Sequence, residues 1–418
     1  MAASPGESTP SSWPSPPAHP VRTRLFDPEF AADPARTYAR LRRYGDVVPV
    51  ELAPGVPAML VIGYAAALEV LRDPHTFPKD PRRWQRGVPA DCPVLPLMMY
   101  RPNCMYTDGP VHSRLRQAVT DGLGAIEPDV LRAHVEHSAE ALVREFRSAG
   151  EADLLSQFAR PLPLMVLGRV LGCPADLGAR LASGYKKIFD GVDTRQGDAE
   201  LTHGVAELIA LKRWRPDQDL TSRILAHPAG LTDEEALHQV LVLMGGGAEP
   251  EQNLIANTLR LMLMSDQVSG SVWGGDLLVE DALDELLWTD PPIANFAFTY
   301  PERDIEFRGV VLPADQPVVI SFAAANTDPS TASGSRIGNR AHLAWGAGPH
   351  ACPAKRPAQL IATVAIESLL DMVPGMEPTV SAAELDWRPG PFHRALTALP
   401  VRFPPVTGGD RTVAAQNG

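Results

Sequence analysis

Trp345-Gly346-Ala347-Gly348-Pro349-His350-Ala351-Cys352-Pro353-Ala354 is the stretch on which the reading of this chain turns. Two glycines loosen the backbone, and a cysteine follows directly before an apolar helical pattern running to Met372. Pro353 stands where the first turn of a helix tolerates proline. A helix start presents unpaired N–H groups and a positive end, both of which favour a thiolate over a thiol. A thiolate so placed can act as a nucleophile or bind a metal. His350 could serve as a base, but no third group to orient it is evident. A single thiolate suits haem iron, where one axial protein bond suffices. The remaining reading of these residues is a buried, inert cysteine.

Working outward, the chain has 418 residues, of which 44 % are hydrophobic and 21 % charged, as in an ordinary globular protein. Its 38 basic and 50 acidic side chains give a formal charge of -12, which argues against a broad nucleic-acid surface. The four cysteines, Cys92, Cys104, Cys173 and Cys352, are too scattered for a disulfide framework or a zinc site, and point to a reducing cytoplasm. No apolar run is long enough to span a membrane, and no basic segment with an apolar core opens the chain, so neither anchor nor secretory signal is expected. Ser and Pro dominate residues 1–24, which are expected to be disordered, as is the tail 406–418. Residues 25–405 are expected to form a single domain.

Helical periodicity predicts helices over Ala35–Tyr44, Tyr64–Leu71, Val111–Leu123, Pro128–Ser148, Glu151–Leu171, a broken pair across 175–215, Thr232–Met264 and Ala354–Met372. Ala58–Ile62, Phe307–Leu312 and Val318–Phe322 read as strands. The fold class is therefore mainly α with small β-sheets. A Pro-rich stretch, Phe77–Met105, is expected to expose Trp84, Leu95, Leu97, Met98, Met99 and Tyr100; loops of that length tend to be functional. The Thr232–Met264 helix breaks the propensity rules at Gly245-Gly246-Gly247 and Pro250. Either it ends there or something lies against its backbone.

The cysteine loop resembles that of the cytochrome P-450 superfamily in its bacterial form, Phe-Gly-x-Gly-x-His-x-Cys-x-Gly, over residues 25–405. Trp345 stands for Phe and Ala354 for the last Gly. A second match is Asp108-Gly109-Pro110-Val111-His112-Ser113-Arg114-Leu115-Arg116, similar to the segment whose His and Arg hold haem propionates. His112 and Arg116 fall on one helix face, and Arg carries a permanent charge. A third is Asn326-Thr327-Asp328-Pro329. The resemblance implies haem b held between the long central helix and the cysteine loop, with Cys352 as the iron ligand. It assigns His112, Arg116, Gly246, Gly247, Ala344, Trp345, Gly346, His350, Cys352 and Ala358 to cofactor binding.

Three departures stand out. Glu285-Leu286-Leu287-Trp288 replaces the family's Glu-x-x-Arg, as in a minor actinobacterial subgroup. Glu285 must then find another partner, Arg336 or Arg340, or lie near solvent. Gly246-Gly247-Ala248-Glu249-Pro250 lacks the alcohol that serves proton delivery in the family, leaving Glu249 and Glu251 as the candidate catalytic acids. The segment from Pro329 to His342 is short, and Phe298 and Thr299 fall near the place of a propionate-binding arginine. The resemblance implies a monooxygenase that takes electrons from ferredoxin and ferredoxin reductase and oxygenates a small, partly apolar organic substrate held by Phe77–Tyr100 and 175–205. Pro250 keeps open a peroxide-driven or oxidative-coupling enzyme. The subgroup keeps open a haem-binding regulatory partner with little turnover, because its members sit beside signalling proteins in bacterial operons.

Overall fold

The computed structural model describes residues 22–189, 193–265, 278–331 and 339–406. Its spine is the helix Asp233–Met264, whose start is fixed by reciprocal side-chain caps. Thr232 accepts from the backbone N–H of Glu235 (3.1 Å), and Glu235 accepts from that of Thr232 (2.9 Å). Three acidic residues in the first turn suit its positive end. The helix does not end at the glycines; it carries Pro250 in its interior.

Around this spine pack Pro128–Phe146, Pro161–Val170, Val279–Thr289 and Lys355–Met372, which share one apolar core. Val135, Phe158, Ile255, Leu286 and Ile366 lie at its centre, each 1 % exposed or less. The pair Ala175–Phe189 and Thr194–Trp214 closes a second core with Gly109–Gly124. Expected as one helix, Glu151–Leu171 is divided into a strand, a π-helical turn over Leu155–Ala159 and the Pro161 helix. Pro161 and Pro163 bring no N–H to a continuous ladder.

Ten strands occur among the described residues: β1 (Thr23–Arg24), β2 (Val47–Ala53), β3 (Val56–Val61), β4 (Glu151–Asp153), β5 (Asn295–Thr299), β6 (Ile305–Phe307), β7 (Val310–Leu312), β8 (Val318–Ser321), β9 (Glu377–Pro378) and β10 (Pro400–Arg402). The main sheet has the order β1-β2-β3-β8-β5. β3 runs parallel to β8, with Leu60 opposite Val319, and β5 runs antiparallel to β8. Phe307–Leu312 is a hairpin rather than one strand, because Arg308 and Gly309 both adopt positive φ and turn the chain between β6 and β7.

Two expectations at the N-terminal side are corrected. Order reaches into the segment expected to be disordered, since Thr23 and Arg24 pair with Val50 and Glu51; residues 1–21 lie outside the described residues. The apolar side chains of the Pro-rich stretch are not at the surface: Trp84 and Met98 are buried against the main sheet, with Leu95 and Leu97 packed beside them. Burying them there removes apolar area from water that a free loop would expose. At the other end Val406 donates to the Arg147 carbonyl (2.9 Å), and 407–418 lie outside the described residues.

Candidate active site

The cysteine loop is tied to itself and to its neighbours. The N–H of Cys352 donates to the Trp345 carbonyl (2.8 Å) and that of Gly346 to Leu343 (2.7 Å). Gly346 and Gly348 both have φ of +69°, which only glycine adopts without strain. At Gly348 a Cβ would stand 2.2 Å from the backbone oxygen of Leu71, so the loop seats on the Tyr64–Arg72 helix through an absent side chain.

The region before the cysteine loop is held by Trp288 and by the Asn326–Pro329 turn. The indole N–H of Trp288 donates to the Asn339 carbonyl (2.6 Å), and its ring meets His342 edge-on at 5.7 Å. Asn326 joins three segments: its amide donates to the Leu287 carbonyl (2.9 Å) and its oxygen accepts from the Leu343 N–H (2.7 Å). Arg340 pairs with Asp284 (2.7 Å), not with Glu285, and Arg336 lies outside the described residues. Asp328 accepts from the backbone of Tyr64 (2.9 Å), and Thr327 from Arg42 (3.0 Å).

Between this loop and the central helix lies a mostly apolar cavity of about 310 Å³. Gly246, Gly247, Pro250 and Glu251 form its central-helix wall. Ala344, Trp345, Gly346, His350, Cys352 and Ala358 face it from the loop and the final helix, and Arg116 from the Gly109–Gly124 helix. The Pro-rich stretch reaches the cavity only at its ends, through Lys79, Cys104 and Met105, and none of the described residues of 175–205 lines it; that helix pair is spent on its own core.

Two of the expected residues stand back from the lining. His112 stacks on His350 with ring centres 4.1 Å apart, and its Nε2 is buried without a hydrogen-bond partner. Glu249 is ion-paired with Arg388 and lies 3.9 Å from His393. A carboxylate neutralised by a guanidinium on the far side of the helix is poorly placed as an acid for this cavity. Glu251 is the carboxyl that faces it, 4 % exposed. Burial holds Glu251 well above the ordinary carboxylate range.

One end of the cavity is polar. Asp108 accepts from the Lys79 backbone N–H (2.6 Å) and stands 3.0 Å from His350 Nε2. Arg116 donates to the Ala351 carbonyl. Burial brings His112 down to about 4, helped by the neighbouring His350 and Arg116; burial lowers His350 too, against the pull of Asp108. The thiol of Cys352 is pushed up by burial, with the Ala354 N–H acting the other way. The helix start therefore does not by itself secure a thiolate, and a bound iron would be what deprotonates the sulfur.

These residues fit haem. A Cβ on Gly246 would meet nothing within 4 Å, which leaves the helix wall open to a flat ring. A Cβ on Gly247 would press on the Leu167 side chain at 3.0 Å, so this second glycine serves helix packing. The unpartnered His112 nitrogen and the cationic end suit carboxylates, and Cys352 supplies one sulfur donor. Sequence reasoning misses Lys79, because nothing local sets it apart from Asp80, Arg82, Arg83 and Arg86, other charges of the same stretch.

No protein-family model matches the chain. It is 31 % identical over 389 residues to the Cytochrome P450 monooxygenase PikC of Streptomyces venezuelae, covering 90 % of this chain and 92 % of that protein. It is 27 % identical over 400 residues to the 6-deoxyerythronolide B hydroxylase of Saccharopolyspora erythraea, covering 91 % and 98 %. The solved structure of CYP154C4 from a Streptomyces species superimposes with a TM-score of 0.84 at 30 % identity, covering 92 % and 98 %. With 31 % identity to such an enzyme over nine-tenths of its length, the chain belongs to the bacterial cytochrome P-450 family and is a monooxygenase, an oxidoreductase acting on small organic substrates.

Proposed function

We propose that this monooxygenase takes its electrons from a ferredoxin and ferredoxin reductase and hydroxylates a largely apolar substrate. The observation that carries the reading is the apolar cavity spanned by Cys352 on one side and Gly246 and Glu251 on the other. Haem b bound there would supply the redox chemistry that activates dioxygen. Cys352 would hold the iron, while Arg116, His112 and His350 would fix the propionates by charge-assisted hydrogen bonds. The apolar walls bind a substrate by removing its surface from water and leave few polar groups to orient it. The names of the relatives, a monooxygenase and a 6-deoxyerythronolide B hydroxylase, support oxygen insertion rather than coupling.

Proton delivery is the step where this chain must differ. Pro250 has neither a hydroxyl nor an N–H, so the regular helix partner of the Gly246 carbonyl is missing at the cavity wall. Glu251, one residue on, offers a carboxyl whose burial favours its protonated form and which can give a proton to the cavity and recover it. Pro250 also supports a second reading, peroxide-driven turnover, in which no proton need be delivered to reduced dioxygen. Product formation with NADPH, ferredoxin and reductase, set against hydrogen peroxide alone, separates the two. Faster coupled turnover with ferredoxin supports the first; peroxide outperforming it would replace that reading with the second.

A further inference from the structure

Lys79 has no part in the mechanism above, yet it is placed at considerable cost. The side chain is 7 % exposed and lines the polar end of the cavity. Its ammonium donates to the carbonyls of Ala297 (3.1 Å) and Phe298 (3.0 Å) on β5. Among the described residues it forms no close ion pair: Asp108 receives the Lys79 backbone and His350 instead. An ammonium has three hydrogens to give, and two carbonyls leave its charge uncompensated in a buried place. Burial pulls it down to about 8, with Asp108 pulling the other way.

The surroundings point to what is missing. Lys79, Arg116, His112 and His350 converge with a single carboxylate, Asp108, among them. Such an excess of donors and positive charge suits an anion that arrives from outside. On β5 itself no cation is offered: Phe298 packs into an aromatic cluster with Phe296 (4.7 Å) and Phe392 (5.1 Å), and the strand is Asn295-Phe296-Ala297-Phe298-Thr299. The geometry points to Lys79 as a cation that holds a haem propionate in this chain, its ammonium clamped by two carbonyls of β5. This inference rests on the haem-thiolate reading.

The test compares wild type, Lys79→Met and Lys79→Arg as holoproteins for haem release to excess apomyoglobin. Each apoprotein is then reconstituted with haem and with haem dimethyl ester, whose propionates carry no charge. Lys79→Met is expected to release haem roughly ten- to a hundredfold faster, the size of one lost charge-assisted hydrogen bond. Lys79→Arg should stay near wild type, and the difference between Met and wild type should vanish with the dimethyl ester. The Lys79→Met apoprotein should melt no lower than wild type, because an uncompensated buried charge has gone. Unchanged haem release in Lys79→Met, or a defect equally large with the dimethyl ester, would overturn the assignment and leave Lys79 as a tie to β5. A wild-type protein that binds no haem at all would defeat the underlying haem reading instead.

Discussion

Replacing Gly348 by alanine should unseat the cysteine loop, and the size of the effect follows from two contributions. Holding a residue with a Cβ at φ of +69° costs about 1–2 kcal/mol. The new Cβ would also stand 2.2 Å from the Leu71 oxygen, where real Cβ contacts essentially never come under 3.0 Å. Because the obstacle is backbone, the loop or the end of the Tyr64–Arg72 helix must move, an overpacking strain of about 1–3 kcal/mol. Gly348→Ala should therefore destabilise by about 2–5 kcal/mol in all. Gly346→Ala is the control: it has the same φ, but the nearest atom to its Cβ is 3.6 Å away, so only the conformational part applies. Guanidinium denaturation of the two apoproteins, followed by far-ultraviolet circular dichroism, reads the difference directly. Gly346→Ala proving as destabilising as Gly348→Ala would refute the claim that the loop seats on Leu71.

Glu251→Gln removes the acid and keeps the shape; ferredoxin-supported product formation should fall roughly a hundredfold with KM little changed, and an unaffected rate would remove Glu251 from the proton route. Arg388→Leu strands the buried Glu249 carboxylate and should destabilise by about 3 kcal/mol, the low end for a broken buried pair because Arg388 is 30 % exposed; the same change should leave kcat largely intact if Glu249 is structural. Burial holds His342 near 4 against 6.5 when unfolded, and neither ring nitrogen has a partner. The neutral ring's contribution is therefore whole above pH 6.5 and is lost as pH falls through about 4, since the unfolded chain takes up the proton first. His342→Phe, which keeps the edge-on contact to Trp288, should lose less stability than wild type between pH 7 and about 4.5 in denaturation midpoints.

How much of this was legible in the residues depends on whether local chemistry or long-range packing placed them. The central helix announced its own start, because Thr232 and Glu235 cap each other within one turn. The cysteine loop was legible for the same reason, its constraints being local glycine conformations. β2 escaped notice because Pro49 interrupts an otherwise β-branched run; the fold tolerates it because β1 pairs further along, at Val50 and Glu51. The motif offers Glu249 and Glu251 together as candidate acids, although residues two apart on a helix point to nearly opposite faces. That periodicity already implied that one of them must leave the cavity, and the Arg388 pairing shows which. Lys79 and the Trp288–Asn339 bond were beyond reach, since each depends on a partner more than fifty residues away.

The central claim is that the Cys352 sulfur is the iron ligand, and the absorption spectrum of the reduced, carbon-monoxide-bound protein tests it most directly. Wild type should show the red-shifted Soret band that a thiolate ligand imposes, and Cys352→Ala should lose it. Bound haem lacking that band in wild type, or a band that survives in Cys352→Ala, would contradict the account.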